Sequence, residues 1–281
     1  VVHREVGAAW WRETWAITGS RADTVFAEAW LADEPGPVVV VGHGAESDRR
    51  SLFISGTGKG WTRYGLSVVA ADAPCHGDRV PAASPRAPFP SEGGGSVSPR
   101  SSRSGGGGSA LGAESEGVVP PGAGAGVGRD YLEWWVADHL LVVGAAQRRL
   151  GRFPVGYLGL SMGAVLGVHL VAAEPRIAAA VFAVGGSFGE PVGDGSAGAP
   201  AVGWLGGANP EEAASRLGDR PVLMVQADED EVFSRESAFA LYGAFPGRKE
   251  ISFFPGTHSV WRHPGQWNRR MLAFFRETLR V

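Results

Sequence analysis

Several stretches of the chain run apolar through consecutive positions instead of alternating, and they recur at intervals that leave room for a helix between them. Residues 37–41, 65–72, 177–184 and 221–226 are of this kind, rich in Val, Ala and Leu. Such runs fit strands whose two faces are both covered, as in parallel sheets. Residues 153–160 and 249–254 read as two further strands. Residues 12–18 and 24–31 alternate partially around a turn at 19–23, which predicts an antiparallel pair at a sheet edge.

Between the strands the pattern turns helical. A helix interrupted by Gly is expected over 47–64. A long one is expected over 130–150, with Asp130 as N-cap and Gly151 as its stop, and another over 162–173, apolar on almost every side and therefore buried. Asn209-Pro210-Glu211-Glu212 carries the cap and first-turn Pro of a short helix, and 234–245 and 266–279 complete the set. Strands alternating with helices predict an α/β fold with a mostly parallel sheet covered on both faces, in which ligands bind at the carboxyl ends of the strands.

The pattern fails between residues 81 and 129. There Gly, Ser, Ala and Pro dominate, with runs such as Gly93-Gly94-Gly95 and 105–108. Such composition cannot offset the ~1–2 kcal/mol per residue that ordering a backbone costs, so a disordered insertion in one 281-residue domain is expected.

Bulk composition narrows the partners. With 44% hydrophobic and 20% charged residues and a formal net charge of -3, nothing suggests nucleic acid or an anionic membrane, and the expected substrate is small and weakly charged. The single cysteine, Cys75, permits neither an internal disulfide nor a cysteine metal cluster, and a reducing compartment fits best. No signal-length or membrane-length apolar run is present, which makes the cytoplasm the expected location. Oligomeric state is not legible.

The chemistry collects just after the strands. Gly159-Leu160-Ser161-Met162-Gly163 falls between a strand and a helix, with small residues two before and two after the serine, so strand and helix can pass closely while the hydroxyl projects. G-x-S-x-G occurs a second time, at Gly185-Gly186-Ser187-Phe188-Gly189, but Glu190-Pro191 and repeated Gly follow it, where no helix can form. Context therefore selects Ser161 as the nucleophile and makes Ser187 a loop residue near it. A serine nucleophile needs a base, a carboxylate to orient the base and two N–H donors for the oxyanion. His258, in the Gly-containing loop after the last strand, fits the base. Asp228 and Asp230, in the acidic turn after residues 221–226, have the same room to serve as the acid. The turn favours Asp230, because an acid clear of the strand can lean toward the histidine loop.

At this point the chain resembles the α/β-hydrolase superfamily, most closely its dienelactone-hydrolase-like and bacterial serine-esterase branch. The matching pieces, in order, are Gly42-His43-Gly44-Ala45, Asp72-Ala73-Pro74-Cys75-His76-Gly77, Gly159 to Gly163, Ala227-Asp228-Glu229-Asp230 and Pro255-Gly256-Thr257-His258. The resemblance implies Ser161 as nucleophile, His258 as general base and Asp230 as orienting acid. It also implies an oxyanion hole from the N–H groups of Met162 and Ala45, with Gly44 as the alternative to Ala45, and no cofactor or metal. Cys75 stands where the family usually has Gly, and Ala227 where Gly is common. Phe188, Trp204, Phe233 and Trp261 fall in strand-end loops and are candidates to line an apolar pocket. The expected activity is hydrolysis of small to medium carboxylic esters through an acyl-enzyme. Thioester, lactone or short-peptide cleavage in the same site, or a binding protein that has lost the chemistry, are the alternatives.

Overall fold

A computed structural model of the protein describes residues 1–6, 10–80, 125–188, 209–259 and 264–280. Nine strands form one sheet: β1 (His3–Val6), β2 (Trp11–Thr18), β3 (Thr24–Leu31), β4 (Val38–Gly42), β5 (Ser67–Ala71), β6 (Val155–Leu160), β7 (Ile177–Ala183), β8 (Val222–Ala227) and β9 (Lys249–Phe254), in the spatial order β1-β2-β3-β5-β4-β6-β7-β8-β9. From β5 to β9 every pairing is parallel, and β1, β2 and β3 extend the sheet antiparallel. The expected pair β2–β3 is therefore present but does not form the edge. That place belongs to β1, whose four residues are all exposed and carry no apolar periodicity.

The consecutive apolar runs are explained by the two cores they feed. Val38, Val40, Val69, Tyr157 and Met224 point to one face, and Val39, Val41, Val68, Leu158 and Leu223 to the other. The first face is covered by α2 (Ala125–Leu150), α3 (Met162–Ala173), α4 (Pro210–Ser215) and α5 (Arg235–Ala244), and the second by α1 (Leu52–Trp61) and α6 (Pro264–Thr278). Helix α6 presents Trp267, Met271, Phe274 and Phe275 to its core, a 4-3-1 spacing that puts all four on one stripe. The Trp61 indole N–H donates to Asn268 Oδ1 at 2.9 Å, tying α1 to α6.

Two helix starts differ from the sequence reading by more than two residues. Helix α1 starts at Leu52, not residue 47, because Ser51 caps it: its hydroxyl accepts the Ile54 N–H at 3.4 Å, and residues 43–50 are a loop with a separate task. Helix α2 begins at Ala125, so Asp130 lies within it and not at its cap, and the Gly-rich insertion ends at least five residues earlier than composition suggests. Good helix-compatible positions downstream carry the helix back through residues whose composition alone reads as loop. The rest of the insertion, residues 81–124, lies outside the described residues. Among the described residues, no helix is long and apolar enough to cross a membrane.

Candidate active site

The site gathers at the carboxyl ends of β4, β6, β8 and β9. Between β6 and α3 the chain reverses through Ser161, whose backbone sits at φ 50°, ψ -113°, a conformation that non-glycine residues rarely adopt. This turn is possible because a Cβ on Gly159 would collide with the Gly163 carbonyl, and one on Gly163 with the Gly42 carbonyl. The turn is fixed from several sides. Ser161 N–H donates to Ala183 O at 2.9 Å, Gly163 N–H to His43 O at 3.1 Å, and Tyr157, fully buried in β6, donates its hydroxyl to Gly163 O at 2.6 Å.

Ser161 Oγ lies 2.8 Å from His258 Nε2, and the other ring nitrogen, Nδ1, is 3.0 Å from each carboxylate oxygen of Asp230. The Asp230 side chain is 3% exposed and that of His258 12%. Asp230 is itself oriented, since its Oδ1 accepts the N–H groups of Val232 at 2.9 Å and Phe233 at 2.8 Å. The rival carboxylate, Asp228, has a different partner: its Oδ1 accepts the Gly256 N–H at 3.0 Å. A third acid that the sequence reading passed over, Glu231, accepts the backbone N–H of His258 at 2.9 Å. Three carboxylates of the acidic turn therefore hold the histidine loop, and of these three Asp230 is the one that touches the imidazole.

Of the N–H groups that open α3, Gly163's donates to His43 O and those of Ala164 and Val165 to Ser161 O. The N–H of Met162 has no protein acceptor among the described residues, as expected for the first turn of a helix. Opposite it runs the 43–47 loop: a Cβ added to Gly44 would lie 3.4 Å from Ser161 Cβ. His43, buried at the end of β4, shapes this loop. Its Nε2 accepts the Ala73 N–H at 2.9 Å, which leaves the ring proton on Nδ1, 2.7 Å from Gly44 O. Burial, reinforced by the neighbouring His76, holds its pKa well below the ordinary histidine value, so the imidazole stays neutral and keeps accepting from Ala73.

Phe188 is half-buried with its ring 6.1 Å from that of the buried Phe233, which lies 5.8 Å from the His258 ring. Phe233 is thus beside His258 with Phe188 packed behind it in ring contact, whereas Trp204 and Trp261 lie outside the described residues. Ser187, the serine of the second G-x-S-x-G, is bonded instead to Glu211 and, at 3.3 Å, to Asn209 Oδ1. Cys75 occupies φ +61°, which accounts for glycine being usual there in the family it resembles, and burial pushes its thiol pKa up, away from the reactive thiolate. Among the described residues no group of His, Cys, Asp and Glu could hold a metal ion.

Solved structures share this architecture over nearly the whole chain. A PEG-bound cold-adapted esterase from an Arctic intertidal metagenomic library is 19% identical, with a TM-score of 0.71 over 99% of this chain and 98% of the other. Acetyl xylan esterase 1 from Thermoanaerobacterium sp. JW/SL YS485 is 17% identical, with a TM-score of 0.64 over 97% and 87%. Est1E from Butyrivibrio proteoclasticus is 16% identical, with a TM-score of 0.64 over 95% and 99%. No protein-family model and no curated protein sequence matches the chain. The chain has the α/β-hydrolase fold, and the neighbours named here are esterases.

Proposed function

We propose that the protein is a serine hydrolase that cleaves carboxylic esters of small to medium size through an acyl-enzyme. The observation that carries this reading is the continuous chain Ser161 Oγ, His258 Nε2, His258 Nδ1, Asp230 carboxylate, at 2.8 and 3.0 Å. In the first step His258 Nε2 takes the Ser161 proton while Oγ bonds to the ester carbonyl carbon. The carbonyl π pair moves onto its oxygen, which the N–H groups of Met162 and Ala45 receive. His258 then returns the proton to the alcohol oxygen as the C–O bond breaks. Water, deprotonated by the same nitrogen, attacks the acyl carbon, and collapse of the second tetrahedral adduct frees the acid and restores the Ser161 hydroxyl. Asp230 holds the imidazole in the Nδ1–H tautomer that this sequence needs and stabilises the imidazolium between transfers.

To Phe188, half-buried and packed on the buried Phe233 beside the His258 ring, we assign an apolar wall for the acyl or alcohol group. Chain length and the choice among oxygen ester, thioester and lactone are set there, because the Ser161 chemistry is common to all three. The decisive measurement is stoichiometric labelling by a fluorophosphonate, read by intact mass. One adduct per chain that disappears in Ser161→Ala is expected. Folded wild-type protein that takes no label would favour a binding protein on the same fold. Initial rates on a panel of acyl esters of rising chain length, with a thioester and a lactone included, then rank the substrates.

A further inference from the structure

The turn after β5, Asp72-Ala73-Pro74-Cys75-His76-Gly77, supplies no group to the proton transfers above, yet its histidine is 1% exposed and faces the site. His76 Nε2 lies 2.7 Å from Ala45 O, and Nδ1 lies 2.8 Å from Pro74 O. The His76 ring centroid is 5.1 Å from that of His43. Two imidazoles thus meet consecutive carbonyls of one loop: His43 the Gly44 oxygen, His76 the Ala45 oxygen.

We propose that His76 is a positioning residue whose Nε2–H holds the Ala45 carbonyl and so anchors the Cα from which the Ala45 amide reaches the oxyanion. The inference rests on the serine-hydrolase reading, in which that amide is a donor. In a trans peptide the N–H points opposite to the carbonyl of the same plane, so the Ala45 N–H is directed by Gly44 O, which His43 and the Ser47 N–H, 3.2 Å away, hold. His76 holds the next plane through Ala45 O, and the two planes hinge on the Ala45 Cα. With both held, the Cα cannot swing, and the N–H keeps its place as well as its direction. Loss of His76 frees the second plane and with it the Cα, and an oxyanion donor works only when it is placed in advance.

Two features fit the brace to this task. The first is proton placement. Burial pushes the His76 pKa below the ordinary histidine value, so the ring carries one proton. Its two nitrogens face carbonyl oxygens at 2.7 and 2.8 Å, and one proton serves only one of them; Pro74 O also accepts from the Tyr131 hydroxyl at 3.0 Å, so the ring proton is assigned to Ala45 O. The second is the rigidity of the turn that carries the ring. His76 N–H donates to Ala73 O at 3.1 Å, and Asp72 accepts the N–H groups of Arg49 and Asp78, each at 3.0 Å. Arg79 donates to Asp72 O at 3.1 Å while paired with Asp23 and Asp138.

The test compares His76→Asn with His76→Gln. The Asn amide sits where Nδ1 was and cannot reach Ala45 O, whereas the Gln amide reaches the Nε2 position and can donate to it. On a short acyl ester, His76→Asn is expected to lose roughly 30-fold in kcat with KM within about twofold, and His76→Gln to return within about threefold of wild type, a fraction of the 10²–10³ lost with a whole oxyanion donor. A merely structural role would lower both variants together with their melting temperatures, and that result overturns the proposal, as does a His76→Asn kcat equal to wild type. On the wild-type protein, ¹⁵N-histidine NMR should find the His76 proton on Nε2, and a bare Nε2 overturns the proposal without any variant. Wild-type protein that neither labels with a fluorophosphonate nor turns over esters would overturn the serine-hydrolase reading itself, and the proposal with it.

Discussion

Replacing Asp230 by Asn tests the site most sharply, because the surrounding bonds dictate which way the amide must face. Oδ1 accepts two backbone N–H groups, from Val232 and Phe233 at 2.9 and 2.8 Å, so the amide oxygen of Asn takes that position and its NH2 replaces Oδ2. That NH2 then points at His258 Nδ1, which sat 3.0 Å from Oδ2. A donor there can be met only by an unprotonated Nδ1, so the ring proton moves to Nε2. The nitrogen facing Ser161 then has no lone pair to accept the hydroxyl proton. In the serine-protease precedent this wrong tautomer costs roughly 10⁴ in kcat, equivalent to about 5.4 kcal/mol at 1.36 kcal/mol per tenfold. Asp228→Asn makes a control of equal charge change. Its amide oxygen can still accept the Gly256 N–H, so what is lost is the charge assistance of one backbone bond, ~1 kcal/mol or under about tenfold in rate. The assay is kcat on a short acyl ester, with thermal unfolding of both variants to exclude a folding defect. A reversed ranking, with Asp228→Asn the more damaged of two well-folded variants, would refute the assignment of the orienting acid.

Two further outcomes follow from buried groups. His139, fully buried and stacked on Trp135 at 3.6 Å, has its pKa lowered by burial to about 4, whereas the unfolded chain protonates near 6.5. The unfolded state binds the extra proton between these values, so the stability contribution is complete above about pH 6.5 and is lost as pH falls toward about 4. In His139→Phe, the drop in unfolding free energy between pH 8 and pH 4.5, measured by urea titration, should be smaller than in wild type by about 2.5 kcal/mol, and an unchanged drop counts against the buried neutral state. Gly163→Ala places a methyl group against the Gly42 and His43 carbonyls, backbone atoms that cannot step aside. It should cost more than about 3 kcal/mol of stability and abolish turnover, and a soluble variant melting within a few degrees of wild type would contradict the close helix–strand passage.

The parts of the fold legible in the sequence are those where burial dictates residue type. Strands β4, β5, β7 and β8 lie between two cores, so both faces demand apolar side chains and the runs are continuous. Helix α3 is buried nearly all round, and its expected bounds match the observed ones. Strand β1 was illegible because it pairs only with β2, through backbone bonds and polar side chains, and all four of its residues are exposed. At the site, order and spacing bring out Ser161, Asp230 and His258 but leave Asp228 open, since two positions in one turn have equal room. His43 and His76 stand in the pieces that carry the resemblance, but the tethers they and Glu231 make were not legible. Each is a side chain bonding to backbone across about 30 residues or to an adjacent carbonyl, and such bonds impose no periodicity and no motif of their own.

The run Asp228-Glu229-Asp230-Glu231 would by charge alone oppose its own compact turn. Its stability follows from what the carboxylates face. Asp228 meets the Gly256 N–H, Asp230 the N–H groups of Val232 and Phe233 and the imidazole, and Glu231 the N–H of His258. Glu229 contributes its own N–H to Gly256 O at 3.0 Å, closing the two loops face to face. The acids are therefore directed at donors in the histidine loop and in the segment that leads into α5. Of these, Asp230 changes its environment when His258 gains a proton. Asp228 and Glu231 bind backbone whose charge never alters, so their contribution is to where the ring sits, while that of Asp230 is to which of its nitrogens is free.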